Sequence, residues 1–393
     1  QAISLAEKGF ELSHYEASRF NNYKELFSRN EAAAAVFIRK DGRQWKAGDR
    51  FVQKDLAKTL KRIAREGRDG FYTGKTAALI VAEMQRGIGL ITHEDLLNYE
   101  SKYRDPVQGQ FHNYKILSMG LPSSGGTILV EMLNMLEDFP LAELGWNSSN
   151  YIHLLTEVER RAYADRAEHL GDSDFWQSPL FMLVNKEYAK DRISDFSPDK
   201  ATPSRNIFAG NPTVYESRET THFSVVDKDG NAVSGTTTIN LSYGGGFLVK
   251  GGGFFLNNEM DDFSAKPGVP NAYGLVGNDA NAIEPGKRPL SSMTPTIVLQ
   301  DDKPFIILGS PGGSTIITTV LQTILNVTVH NMGIQEAVSA PRIHSQWLPD
   351  VIMAEPYSII KDVEKSLKSK GHIITPYKWN KIGEMNAILI NEK

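Results

Sequence analysis

"RETTHFSVVDKDGNAVSGTTTIN", residues 218–240 of a 393-residue chain, reads as a β-hairpin that opens on two threonines and a histidine. Alternation in "TTHFSVVD" and "NAVSGTTTIN" predicts two strands, and Lys228-Asp229-Gly230 between them is a hairpin turn signal. A threonine hydroxyl is a poor nucleophile unless a base stands beside it. The base a threonine can carry on its own residue is a free α-amine, and Thr220 has one only if the chain is cut before it.

Outward from the hairpin, the two sides differ. Upstream, "QKDLAKTLKRIAREG" (residues 53–67) puts Leu56, Leu60, Ile63 and Ala64 on one helix face and stops at a glycine. "KTAALIVAEMQRG" repeats that design, and "HEDLLNYE" is a short third helix. "YKILSMGLPSSGGTILVEMLNMLED" predicts a strand, a Pro/Gly turn and a helix; "SNYIHLLTEVERRAYADRAEHLGD" predicts a long amphipathic helix closed by glycine. From Lys186 the character changes, and "DFSPDKATPSRNIFAGNPTVYESRE" (residues 195–219), with three prolines and no sustained period, predicts an exposed loop. Downstream the chain turns β-rich through "GGGFLVKGGGFFLNNEMDDF", "TPTIVLQ" and "KPFIILGS", then enters the helix "STIITTVLQTILNVTVHN". "SMGLPSSGGTILVEML" and "ILGSPGGSTIITTVLQ" echo one another as strand, turn and helix, so two sheets with helices on their outer faces fit the inventory.

Bulk numbers exclude several classes. With 40% hydrophobic and 23% charged residues the composition is globular, and a net charge of −4 gives no general attraction to nucleic acid or anionic lipid. The absence of cysteine excludes disulfides, thiolate zinc sites and cysteine nucleophiles, and leaves the compartment open. No apolar run approaches transmembrane length. The chain begins "QAISLAEKGFEL", already in a helical pattern and without an initiator methionine, which predicts a removed upstream segment or a fragment.

Other motifs are weaker. "GFYTGKT" (residues 70–76) has three residues between its glycines and a helix before it, so it fails as a phosphate-cradling loop. There is no HExxH, and the nine histidines are scattered. Glu259, Asp261 and Asp262 could hold a cation, but strand alternation would send Asp262 away from the other two, which favours a solvated strand end. "GSPGGS" (residues 309–314) leaves N–H groups aimed outward between a strand and a helix, which suits an anion or is simply a tight turn. Ser291 and Ser292 are paired hydroxyls in a loop.

Taken in order and spacing, Thr220-Thr221-His222, Thr238, Asn240, "LNNEMDDFSAKPG", "DANAIEPGKRPLSSMTPT", "GSPGGS" and "SAPRIHSQWLPD" closely resemble the small subunit of γ-glutamyltranspeptidases, which are N-terminal-nucleophile hydrolases. "MGLPSSGG" and "AYADRAEHLGD" resemble the latter part of that family's large subunit. The resemblance implies an α+β fold, a four-layer αββα sandwich. In it residues 1–219 are the latter part of the large subunit, mainly helical and ending in a cleavable loop. Residues 220–393 are the catalytic small subunit, and both build one αββα domain. It implies self-cleavage between Glu219 and Thr220 into pieces of 219 and 174 residues. Thr220 then attacks the γ-carbonyl of a donor such as glutathione with its own α-amine as base, and the acyl group passes to water or to an amino acid or peptide amine. No cofactor, metal or nucleic acid is implied.

Residue by residue, the resemblance implies that Thr238 hydrogen-bonds the nucleophile and Asn240 holds the donor's α-carboxylate end. Glu259 and Asp262 grip the α-ammonium, which needs a bulge or strand end to bring both to one pocket. Ser291 and Ser292 meet the α-carboxylate, and Gly312 and Gly313 supply the oxyanion-hole amides. Residues 266–277 are the lid loop of some members, with Tyr273 as its screening aromatic. The resemblance also implies a long segment upstream of Gln1 that carries the donor-clamping arginine, a further strand after "NAILINEK", and export to the bacterial periplasm or beyond, or tethering at the outer plasma membrane. A poly-γ-glutamate depolymerase or cephalosporin acylase shares this chemistry, though a lid suits a small donor. An unprocessed relative that only binds amino acids is the alternative from another class.

Overall fold

Thr221–Val226 and Ala232–Thr237 pair antiparallel, from Thr221 opposite Thr237 to Val226 opposite Ala232, as the alternation requires. The Asp227 carboxylate closes the turn by accepting the backbone N–H groups of Asp229 and Asn231, each at 2.9 Å. The computed structural model describes residues 1–208, 221–266, 268, 269, 271 and 274–391. The chain divides into two units, Gln1–Tyr103 with Tyr243–Asn258 and Arg104–Ser242 with Glu259–Lys393. This division does not follow the 219/220 boundary.

The first unit is mainly helical, with helices at Lys54–Glu66, Gly74–Gly87 and His93–Asn98 where the sequence places them. The first of these differs in its buried face. Ala57 and Thr59 are buried while Ala64 is exposed, because the Thr59 hydroxyl donates to the Gly252 carbonyl at 2.7 Å and draws that side inward. Residues 243–258 build no strand beyond an isolated Leu248–Phe255 bridge, since Gly244, Gly246, Gly251 and Gly253 take positive φ and keep turning the chain. "GFYTGKT" is a helix-to-helix turn, as its spacing predicts.

Along the second unit run β1 (Val107–Phe111), β2 (Tyr114–Ser118), α1 (Gly125–Leu136) and α2 (Ser149–His169). The hairpin strands β3 (Thr221–Val226) and β4 (Ala232–Thr237) follow, then β5 (Thr296–Gln300), β6 (Lys303–Gly309), α3 (Ile316–Thr328) and β7 (Asn386–Leu389). Five of these strands form one sheet in the order β7-β6-β5-β2-β1. Its central seam, β2 against β5, runs antiparallel from Tyr114 opposite Gln300 to Ser118 opposite Thr296. The echoed strand–turn–helix motifs are β2 to α1 and β6 to α3, and their strands belong to one sheet rather than to two.

Alternation along β6 sorts the layers. Ile306 and Leu308 join a buried cluster with α1, α2 and α3. Gly309 points the other way: a Cβ there would stand 2.3 Å from the His222 ring. Ser224 Oγ of β3 and Ser234 Oγ of β4 donate to the Ile307 and Leu308 carbonyls at 3.2 and 2.9 Å. Small residues thus let the hairpin lie close on the sheet. Helices, five-stranded sheet and hairpin supply three of the four expected layers within this unit.

Two expectations change here. The helix α2 is not amphipathic: residues 151–167 are all buried, including Glu157, Glu159, Arg160, Arg161, Asp165 and Arg166. Most of its charges are matched within the protein, as Arg161 with Glu157 at 2.7 Å and Arg192 with Asp165 at 2.8 Å, which is how charged side chains tolerate a core. The segment read as an exposed loop is preceded by a helix at Lys186–Arg192 and is fastened over residues 195–208. Trp347 Nε1 donates to the Ser204 and Ile207 carbonyls at 3.0 and 3.1 Å, and the Ala201 N–H reaches the Lys370 carbonyl at 2.8 Å. Residues 209–220 lie outside the described residues.

Candidate active site

The hairpin sets the first side of a pocket with about 310 Å3 of empty volume. Its lining includes Thr238, Asn240, Asp262, Ser291, Ser292 and Gly313. Thr238 follows the last residue of β4, whose partner across the ladder is Thr221. Thr220 itself lies outside the described residues, as does Tyr273 of the expected lid. Thr238 Oγ1 accepts the Asn240 N–H at 2.8 Å, and Asn240 is buried with φ of 69°, a turn that asparagine tolerates better than most residues. His222, prominent in the sequence, is structural: its nitrogens meet Thr236 Oγ1 at 2.8 Å and Ser224 Oγ at 3.1 Å, and burial pushes its pKa down to about 4.

Glu259–Asp262 is a 3-10 turn rather than a strand end. Residues i and i+3 eclipse in that geometry, so the two carboxyls that alternation would separate come side by side. They hydrogen-bond one another. Burial raises the pKa of Glu259, and burial together with the adjacent Glu259 raises that of Asp262 well above the carboxylate range. The pair therefore retains a proton while no cation is between them.

Asn281 ties this turn to the serines. Its Nδ2 donates to the Asp262 carbonyl at 2.7 Å and its Oδ1 accepts the Leu290 N–H at 2.9 Å, so one buried side chain spans "DDF" and "PLSS". Asn281→Ala in the full-length protein leaves both backbone groups unpaired and is expected to lower stability by about 2–3 kcal/mol. A urea midpoint equal to that of the unaltered protein would contradict the tie.

Ser291 and Ser292 are held against the turn before α1. The Ser291 N–H donates to the Pro122 carbonyl at 2.8 Å, and the Ser291 carbonyl accepts the Ser124 N–H and hydroxyl at 2.9 and 2.8 Å. Opposite them, Gly312 has φ of 144° and Gly313 of 56°. Both are buried, and neither N–H donates to an acceptor among the described residues. Buried N–H groups are rarely left so, and two adjacent ones ahead of α3 fit a transient oxyanion better than an ordinary turn.

In the expected lid segment, Leu275 lines the pocket and Asn271 Nδ2 lies 3.5 Å from Asp262 Oδ1. Elsewhere, the potential ligand atoms of His153, Glu157 and His372 lie within 4.8 Å of one another, a grouping the scattered sequence positions conceal. Their donor atoms are engaged: His153 Nδ1 and Nε2 meet His372 Nε2 at 2.7 Å and the Ser197 carbonyl at 2.8 Å, and Glu157 holds Arg160 and Arg161. This cluster is a structural network.

Comparison with known proteins assigns the chain to a family. A family model described as gamma-glutamyltranspeptidase matches residues 1–393. The chain belongs to the gamma-glutamyltranspeptidase family. The glutathione hydrolase proenzyme of Escherichia coli K12 is 48% identical over 371 residues, 94% of this chain and 64% of that protein. The chain thus spans under two thirds of the length of this relative. The cephalosporin acylase of Bacillus halodurans superposes with a TM-score of 0.83 at 22% identity over 99% of this chain and 69% of that one, and shows the fold. The Helicobacter pylori gamma-glutamyltranspeptidase is 44% identical over 53% of this chain and 59% of that one, with a TM-score of 0.52. As a gamma-glutamyltranspeptidase-family chain it has the α+β fold of N-terminal-nucleophile hydrolases, as its motifs imply.

Sequence reasoning assigned no role to Ser124, Arg166 or Asn281. All three lie inside quoted motifs, but what they do depends on which loop they touch, and no periodicity reports that.

Proposed function

We propose that the full protein transfers γ-glutamyl groups from glutathione-like donors to water or to amino acid and peptide amines, after cleavage between Glu219 and Thr220. The observation that carries this is the meeting, around one pocket, of a paired-carboxyl turn, two hydroxyls and two acceptor-less backbone amides. The carboxyls suit the donor's α-ammonium, the hydroxyls its α-carboxylate, and the amides the oxyanion formed at its γ-carbonyl.

In this reading the Thr220 α-amine takes the hydroxyl proton as Oγ bonds to the γ-carbon. The tetrahedral oxyanion rests on the Gly312 and Gly313 amides, collapses, and expels the leaving amine, which takes the proton. Water or an acceptor amine then repeats the sequence on the ester. The strands β2 and β5 come from opposite sides of position 220 and pair over five residues, which supports two pieces that stay together after the cut.

The test is the intact mass of the full-length protein, with turnover of L-γ-glutamyl-p-nitroanilide and glutaryl-p-nitroanilide. Two fragments, one starting Thr-Thr-His-Phe, and a γ-glutamyl preference of about 100-fold or more are expected, because the glutaryl group lacks the ammonium and leaves the carboxyls unmatched. Preference for the glutaryl donor would favour the acylase reading, and an uncut inactive chain the binding-protein reading. Export to the periplasm or beyond is part of the proposal, checked by fractionating the source cells.

The carboxyl pair adds a pH dependence. Its raised pKa means that a bound ammonium displaces a proton, so donor affinity rises with pH until the ammonium itself deprotonates. Calorimetry of L-glutamate binding in buffers of different ionisation enthalpy is expected to show proton release, and Asp262→Asn to abolish it. Proton uptake would refute the assignment.

A further inference from the structure

Arg166 of α2 is a buried cation without a bonded countercharge. It is 4% exposed, and burial pushes its pKa down to about 10. Its Nε donates to Ser124 Oγ at 2.9 Å and its Nη2 to Ser292 Oγ at 3.1 Å. Its two neighbours on the helix, Arg160 and Arg161, are both ion-paired, whereas among the described residues no carboxylate oxygen bonds to Arg166. Asp262 acts on it only through space. A guanidinium buried on these terms is costly unless an anion comes to the space beside it.

The hydroxyls next to it are arranged to the same end. Ser124 gives its proton to the Ser291 carbonyl at 2.8 Å. Ser292 Oγ accepts from Arg166, and Ser291 Oγ accepts the Met293 N–H at 3.1 Å. Among the described residues neither hydroxyl donates to a protein acceptor, so each keeps its proton for the pocket it lines. Two hydroxyls turned into donors, with a positive charge behind one of them, suit a carboxylate rather than a cation or an apolar group.

We propose that Arg166 is a positioning residue for carboxylate recognition: it fixes the Ser292 hydroxyl as a donor towards the pocket and supplies the charge that favours an anion there. This rests on the reading of the pocket as the γ-glutamyl donor site, and it adds to that reading the residue that orients Ser292.

The test uses the full-length protein, unaltered and with Arg166→Gln, Arg166→Lys, Ser292→Ala and the Arg166→Gln/Ser292→Ala pair. Calorimetric Kd values are measured for L-glutamate and for 4-aminobutyrate, which keeps the amine and lacks the α-carboxylate. The unaltered protein is expected to prefer glutamate, and Arg166→Gln to cut that preference about 10- to 100-fold while the aminobutyrate Kd moves about threefold or less. Arg166→Lys, which keeps the charge, restores part of the preference. The Arg166→Gln/Ser292→Ala pair is expected to lose less carboxylate preference than the product of the two single fold-losses.

Equal weakening of both ligands would make Arg166 a purely structural residue and overturn the proposal, as would an unaltered protein without carboxylate preference. If Arg166→Gln fails to fold, Arg166→Lys and Ser292→Ala still decide, since full carboxylate preference in both sinks the idea. Failure of the γ-glutamyl reading shows separately, as an unaltered protein that prefers glutamate but does not turn over L-γ-glutamyl-p-nitroanilide.

Discussion

Thr220→Ala in the full-length protein is expected to leave one uncut chain and to lower turnover of L-γ-glutamyl-p-nitroanilide on the order of 10^4-fold or more. In the proposed mechanism one side chain accounts for both losses, because the hydroxyl that would attack the donor is also the group that would attack the peptide bond before it. Alanine keeps the size of the backbone step and removes the oxygen. Thr220→Ser keeps the oxygen and is expected to be cut, with turnover reduced about tenfold because the lost methyl leaves the hydroxyl free to rotate. Intact mass and initial rates on the same preparations separate these outcomes. A Thr220→Ala protein that is cut and active would remove Thr220 from the chemistry altogether.

Gly312→Ala is expected to lower kcat about 100- to 1000-fold, the loss associated with an oxyanion donor, while KM changes little. The residue sits at φ of 144°, and an added Cβ would lie 2.6 Å from Thr315 Oγ1, the hydroxyl that donates to the Gly312 carbonyl at 2.9 Å and starts the turn into α3. To admit the methyl the turn has to open, and the two neighbouring amides then no longer aim at one point. Donor binding, which the proposed function assigns to the carboxyls and serines across the pocket, is expected to stay in place. A variant with unchanged kcat and raised KM would mean that these amides hold the ground state instead.

The hairpin, the two strand–turn–helix repeats and the helices of the first unit were legible in the sequence because each depends on neighbours within a few residues. Three features were not. Helix α2 reads as amphipathic because Arg161 and Asp165 count as polar, whereas their partners Asp195 and Arg192 lie some thirty positions away and let both sink into the core. The pairing of Glu259 with Asp262 is lost if the segment is read with a period of two, since only the 3-10 turn stacks residues three apart. Arg166 lies within a motif that the resemblance covers, yet its neighbours Ser124 and Ser292 come from loops 42 and 126 positions away. Site residues named through the resemblance and described in the structure gather at or beside one pocket; those that orient them became visible only with the fold.

If the chain is cut before Thr220 as proposed, the seam between β2 and β5 also bears on how the two-piece protein would come apart. Before the cut, the two edges are joined by one covalent chain, and closing that loop costs entropy that grows only slowly with its length. After it, the same sheet belongs to two molecules, and denaturation releases both. Recovery then becomes a second-order encounter, slower on dilution, whereas the precursor refolds at a rate independent of concentration. The sheet acquires a direction in time: it can be woven once from a single thread, and afterwards its persistence depends on how seldom the seam opens.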